Sequence, residues 1–196
     1  MKKLLITGFD PFGGATVNPA REAVMALPDR IDGFQLTKVE IPTRFGQAAE
    51  RVLEVARHLR PEAIICVGQA GGRSAVTPEV VGINLREASI PDNAGQQPVN
   101  QPVVEGGPAA YFSTLPIRQM VAAMKAADIP ATLSYSAGAF VCNDLLYTLL
   151  HAYRGTEVKV GFIHIPYLPE QAGEGVPSLP LKTAVKALEI AVRTLE

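Results

Sequence analysis

The chain has no tryptophan, two cysteines and three histidines in 196 residues. Each shortage narrows the chemistry. Cys66 and Cys142 alone cannot build the disulfide framework of a small secreted scaffold, and such sparse cysteine points to a reducing cytoplasm. His58, His151 and His164 are scattered and no cysteine pair stands at ligand spacing, so no metal site is expected. The formal net charge is −1, without the basic stripe that nucleic acid or an anionic membrane would need. No apolar stretch approaches the roughly 20 residues that span a bilayer. The run Leu4-Leu5-Ile6 after Lys2-Lys3 breaks at Thr7-Gly8 and meets Asp10, too short for a signal peptide core. Internal repeats and low-complexity tracts are absent.

What is present reads as globular. The hydrophobic fraction is 47% and the charged fraction 19%. The length suits one domain, residues 1–196, around one sizeable core. Short apolar runs predict strands at Lys3–Gly8, Gln35–Ile41, Ala63–Gly68, Val80–Leu85, Ala131–Ser136 and Val158–Ile165. Ala63–Val67 is apolar on both faces, as a covered central strand would be. Helical spacing predicts one helix opening at Asn18-Pro19 and others over Arg44–Leu59, Pro116–Ala127, Cys142–Arg154 and Leu181–Leu195. Such alternation implies an α/β fold, a mostly parallel sheet sandwiched by helices. Sites in such sheets lie at the carboxyl ends of strands. Between Ile90 and Pro116 stand five prolines, and we expect a hairpin or mobile flap there. Gly13-Gly14 and Gly71-Gly72 lack the lysine and spacing of a phosphate-binding loop.

The segment Ser136-Ala137-Gly138-Ala139-Phe140-Val141-Cys142-Asn143-Asp144 carries the most chemistry. It reads as a strand end, a small-residue turn and the first turn of a helix. Free N–H groups and the positive end of the helix dipole would favour a Cys142 thiolate, the nucleophilic form. A base is then needed. His151 lies nine positions along the same helix, and at about 100° per residue it faces away. His58 falls outside the apolar face of its helix and reads as a surface residue. His164 ends an apolar strand, where sites gather, and is the candidate base. The carboxylate that would orient it stays open among Asp10, Glu79, Asp92, Asp144 and Glu170. Glu79 opens a strand after the turn-like Thr77-Pro78, which suits a fixed carboxylate; Asp10 suits a turn-stabilising role. Cys66 reads as a small core hydrophobe.

Six blocks, Gly8–Gly14, Gly68–Arg73, Thr77–Glu79 with Asn84, Ile90–Asn93, Ser136–Asn143 and His164–Pro166, together resemble the pyroglutamyl peptidase I family. The resemblance implies a cysteine exopeptidase that removes an N-terminal pyroglutamyl residue from peptides without a metal or cofactor. It implies a three-layer α/β sandwich akin to nucleoside phosphorylases, and a homotetramer in the cytoplasm. Residue by residue it implies Cys142 as nucleophile, His164 as base and Glu79 as its orienter. Phe9, Phe12, Gln69, Ile90, Phe140 and Val141 match positions that surround the pyrrolidone ring. Two positions depart from the family pattern. Ser89 stands where an arginine usually precedes Ile-Pro-Asp-Asn, and Val80 where a basic residue usually follows the glutamate. Arg86, three positions before Ser89, would point to the other face of an extended strand. We therefore expect reduced catalytic efficiency with the chemistry retained. Two alternatives stand beside this reading: a nucleoside phosphorylase-like enzyme, and a non-catalytic module that binds pyroglutamyl ligands.

Overall fold

A computed structural model describes all of residues 1–196. Four parallel strands form its centre: β1 (Lys2–Phe9), β3 (Phe34–Ile41), β4 (Ala63–Gln69) and β8 (Lys159–Ile165). They lie in the order β3-β1-β4-β8, flanked by short antiparallel edge strands β2 (Arg30–Ile31) and β5 (Thr77–Pro78). The helices are α1 (Pro19–Met25), α2 (Gln47–Leu59), α3 (Ile117–Ala126), α4 (Val141–Ala152) and α5 (Leu181–Arg193).

The alternation of side chains along each strand builds two apolar layers rather than the single core expected. Leu4, Ile6, Ile65, Val67, Ile163 and Ile165 meet α1, α3 and α5 on one face. Leu5, Ile64, Cys66, Val160 and Phe162 meet α2 and α4 on the other. Helices on both faces of a mostly parallel sheet give the three-layer α/β/α sandwich. Asn18 caps α1 by accepting from the Ala20 N–H at 3.0 Å, with Pro19 in the first turn.

The departures from expectation have local causes. Helix α2 starts at Gln47 instead of Arg44, because Gly46 takes a left-handed φ of 72°. The Phe45 and Gly46 N–H groups bond instead to the carboxylates of Asp92 and Asp144, at 2.9 and 2.8 Å. The run expected as a strand over Val80–Leu85 lies outside the central sheet. Its core, β6 (Val81–Ile83), pairs antiparallel with β7 (Ala110–Phe112). Ala131–Ser136 makes only two isolated bridges, Val76 to Ala131 and Glu79 to Ser134. Its neighbour β5 is two residues long and ends in Pro78, which has no N–H to extend a ladder.

Residues 90–116 form an anchored strap instead of a flap. Arg86 and Gln101 exchange backbone hydrogen bonds, the Asn84 side chain holds Val104 and Gly107, and Asp92 and Val103 are buried. Helices α4 and α5 stop two residues early, at Ala152 and Arg193, within ordinary fraying. No helix is long and apolar enough to cross a membrane.

Candidate active site

The carboxyl ends of β1, β4 and β8 and the start of α4 surround a cavity of about 290 Å³. Cys142 and His164 both line it. Cys142 is the second residue of α4, brought there by a turn in which Gly138 adopts a φ of 75°. Gly68 of β4 makes room for the sulfur: a Cβ there would lie 3.2 Å from Cys142 Sγ and 2.6 Å from the Phe162 ring. Asn143, the next residue, is buried and stitches α4 to the segment around β6. Its side chain accepts from Ile83 N and donates to the Ile83 and Leu85 carbonyls, each at 2.9 Å.

Of the five carboxylates left open by the sequence, only Glu79 meets the histidine. His164 Nδ1 lies 2.6 Å from Glu79 Oε1, and Glu79 is fully buried. The other four have different partners. Asp10 accepts from Thr43 N and Asn93 Nδ2, and so braces its turn. Asp92 accepts from Phe45 N, Ala94 N and Gln96 N. Asp144, fully buried, holds Arg86 at 2.6 Å, which leaves that arginine no freedom to serve the cavity. Glu170 is exposed on an adjoining groove. The remaining histidines lie elsewhere, His58 exposed on α2 and His151 bonded to the Tyr111 hydroxyl at 2.9 Å.

Burial pushes the His164 pKa below its ordinary 6.5, and the Arg73 guanidinium acts in the same direction; Glu79 partly offsets both. For Glu79, burial alone would raise the carboxyl. The hydrogen bond and charge of His164, with help from Arg73, outweigh it and hold the group below the usual carboxylate range. Cys142 departs from the thiolate expectation. Burial, the Glu79 charge and the nearby Cys66 thiol push it up to about 12, and Arg73 and its own backbone N–H offset this only in part. The resting pair is therefore a neutral thiol and a neutral imidazole.

Phe9, Phe12, Gln69 and Phe140 line the same cavity, together with Asn18, Thr43 and Ala70. Phe140 packs edge-on against Phe45, with ring centroids 5.2 Å apart, and faces Phe12 at 6.2 Å. Gln171 fixes Gln69 from behind, Nε2 to Oε1 at 3.4 Å. Ile90 and Val141 fall outside this cavity. Ile90, 45% exposed, lines the adjoining groove beside Phe12 and Gln69. Val141 buries its side chain in the layer beneath, so only its backbone is available to the site. Ser89 is exposed. No group of three or more His, Cys, Asp or Glu side chains converges to hold a metal ion.

Sequence reasoning missed Arg73 as a functional residue. It lines the cavity and reaches Glu79 Oε1 at 2.8 Å, Thr77 Oγ1 at 2.5 Å and the Ser136 carbonyl at 3.1 Å. Its place in a loop of small residues after β4, at the end of the Gly68–Arg73 block, was the available signal.

Comparison with known proteins identifies the family. The family described as pyroglutamyl peptidase matches residues 2–196. A pyrrolidone-carboxylate peptidase of Levilactobacillus brevis is 52% identical, covering 98% of this chain and 97% of its own. One from Enterococcus faecalis is 50% identical over 99% and 95% of the two chains. The crystal structure of pyroglutamyl peptidase I from Bacillus amyloliquefaciens superposes with a TM-score of 0.95 at 49% identity, covering 99% of this chain and 96% of the other. Pyrrolidone carboxyl peptidase from Thermococcus litoralis gives the same TM-score at 36% identity, over 99% and 93%. With a family match over nearly its whole length and relatives at half identity, the chain belongs to the pyroglutamyl peptidase family of cysteine peptidases.

Proposed function

We propose that the protein hydrolyses the bond after an N-terminal pyroglutamyl residue of peptides, with Cys142 as nucleophile, His164 as general base and Glu79 as its orienter. One observation carries the assignment of roles: the thiol and the imidazole open onto one cavity, and the imidazole is held from behind by a buried carboxylate. The order of chemistry follows from the resting charges. His164 takes the Cys142 proton as the sulfur attacks the pyroglutamyl carbonyl carbon. The carbonyl oxygen gains negative charge, and the unpaired N–H groups at the start of α4 are the available donors. Each such donor is worth about 3 kcal/mol in comparable acyl transfers. Collapse of the adduct breaks the C–N bond, and His164 passes its proton to the leaving amine. A water molecule, deprotonated by His164, then cleaves the thioester and frees pyroglutamate and the thiol.

The cavity supports this substrate class. Phe9, Phe12 and Phe140 supply flat apolar walls for a small uncharged lactam, with Gln69 and Asn18 as polar partners. A free ammonium would enter with no anion facing it, because Glu79 is already bonded to His164 and Arg73. The phosphorylase and non-catalytic alternatives gain no support from the relatives described above, which are named as peptidases. The proposal includes the whole chain, 1–196, as the catalytic unit. It also includes a cytoplasmic setting, for which two free cysteines speak, and a homotetramer, with which exposed Phe112 and Tyr135 are compatible.

The test is release of a fluorescent amine from a pyroglutamyl amide, in reducing buffer without phosphate. Wild type should turn over, Cys142→Ala should fall to background, and a prolyl amide should resist both. Absence of turnover by folded wild type would overturn the proposal.

A further inference from the structure

The guanidinium of Arg73 joins parts of the site that the chain supplies separately. Glu79 Oε1 accepts two hydrogen bonds at once, from His164 Nδ1 at 2.6 Å and from Arg73 Nη1 at 2.8 Å. The same Nη1 reaches Thr77 Oγ1, whose hydroxyl points back to the His164 carbonyl at 3.5 Å. The second arm, Nη2, donates to the carbonyl of Ser136, at the head of the turn that delivers Cys142. One planar group therefore ties the orienting carboxylate, the strand that carries the histidine and the turn that carries the nucleophile. Arginine suits this and lysine does not, since a lysine ammonium cannot span two acceptors on opposite sides of a fork. Arg73 is only partly exposed, with 30% of its side chain in contact with solvent.

We infer that Arg73 is a positioning residue of this site: it fixes Glu79 and the Cys142 turn in register and holds part of the carboxylate charge away from the imidazole. The inference rests on the roles proposed for Cys142, His164 and Glu79. The groups facing His164 are few. Glu79 approaches from the sheet edge and Arg73 from the loop between β4 and β5, while the Phe162 ring packs 4.6 Å away and Cys142 opens onto the same cavity from α4. Glu79 raises the imidazole pKa and Arg73 lowers it. Removing Arg73 should leave the imidazole more basic, so that a larger fraction is protonated at a given pH, and a base must be neutral to act.

Two variants separate positioning from mere stability. Arg73→Met removes charge and fork; Arg73→Lys restores only the charge. For Met we expect kcat to fall at least tenfold with KM within about threefold, and the acid limb of kcat/KM to move to higher pH. For Lys we expect the limb near its wild-type position but kcat still well below wild type. The His164 ring is also titrated by NMR in Cys142→Ala protein, with and without Arg73→Met, which needs no turnover. A failure of wild-type turnover would count against the peptidase reading, while the NMR shift would still decide the role of Arg73. An unmoved ring pKa, or a Lys variant with wild-type kcat, would overturn the inference.

Discussion

At the scale of the residue, the site runs on two groups of opposite effect on one imidazole. Glu79 raises the pKa of His164 and burial and Arg73 lower it. The base acts when neutral, so activity should rise with pH through an acid limb below the ordinary 6.5. Glu79→Gln removes the raising charge and puts a neutral amide, whose oxygen can accept but whose NH2 can only donate, where the carboxylate fixed the ring's tautomer. Its kcat should fall on the order of 10²-fold, and its acid limb should move further down, opposite to the shift expected for Arg73→Met. A pH–rate profile of each variant checks both signs; a limb that moves up in Glu79→Gln would contradict this account. Ser89 offers a second residue-level test. It sits exposed beside Ile90 at the edge of the groove, and Arg86 cannot replace an arginine there because Asp144 holds it. Ser89→Arg should raise kcat on the pyroglutamyl amide above wild type, and an unchanged or lower rate would show that the position does not limit turnover. Cys142 and His164 were legible in the sequence because position along a helix and at a strand end already separates candidates. Glu79 was not legible from pattern alone. Five carboxylates stood near strand ends, and only the packing of Glu79 beside β8 distinguishes it. The thiol pKa was misjudged because a helix N-terminus can be read from sequence, while the depth of burial around Sγ cannot.

At the scale of the element, α4 is held by polar groups as much as by apolar ones. Asp144, one turn into the helix, is fully buried and accepts both from Gly46 N, at the start of α2, and from Arg86, which leads into the strap. Its charge thus joins α4, α2 and the segment at Arg86 that leads into the strap. Asp144→Asn keeps the shape but strands the Arg86 cation, and breaking a buried pair from one side costs about 3 kcal/mol. Chemical denaturation should register that loss. Because α4 carries Cys142, kcat should fall with it. The double variant Asp144→Leu with Arg86→Met should recover much of the stability, since no unpaired charge then remains. Equal losses in the single and double variants would show that the cost lies outside the stranded Arg86 charge, in the acceptor that Asp144 gives to Gly46 N. The same element explains what the sequence pattern obscured. Val80–Leu85 has strand-forming side chains, but Asn143 occupies its backbone groups from the α4 side and β7 pairs with it from the other. The central strands were readable because covered strands are apolar on both faces. The strap was misread because prolines resemble a loose loop, and nothing in composition signals the side-chain bonds that anchor it.

At the scale of the whole molecule, four titrating groups bound the pH range in which the fold is most stable. His164 has a folded pKa below its ordinary 6.5, so below that pH the unfolded chain binds the proton more readily and stability falls as pH drops. Glu79, held below its ordinary 4.5, adds a second loss at more acid pH. On the alkaline side the sign reverses. Cys66 and Cys142 are both pushed from 9.0 up to about 12, so the unfolded chain releases those protons first and stability falls as pH rises past 9.0. Tyr147 and Tyr153, raised from 10.0, join only later, which leaves the interval between 9.0 and 10.0 to the thiols. There the fully buried Cys66 should remove up to about 1.4 kcal/mol per pH unit; the partly exposed Cys142 should remove less. Thermal unfolding across pH should therefore give a plateau from about 6.5 to 9.0, with a fall on each side. Cys66→Ala should lower the plateau by leaving a small cavity and make the fall above pH 9.0 shallower. If that slope is the same with and without the Cys66 thiol, the alkaline limit belongs to other groups and the thiol is not kept protonated by the core.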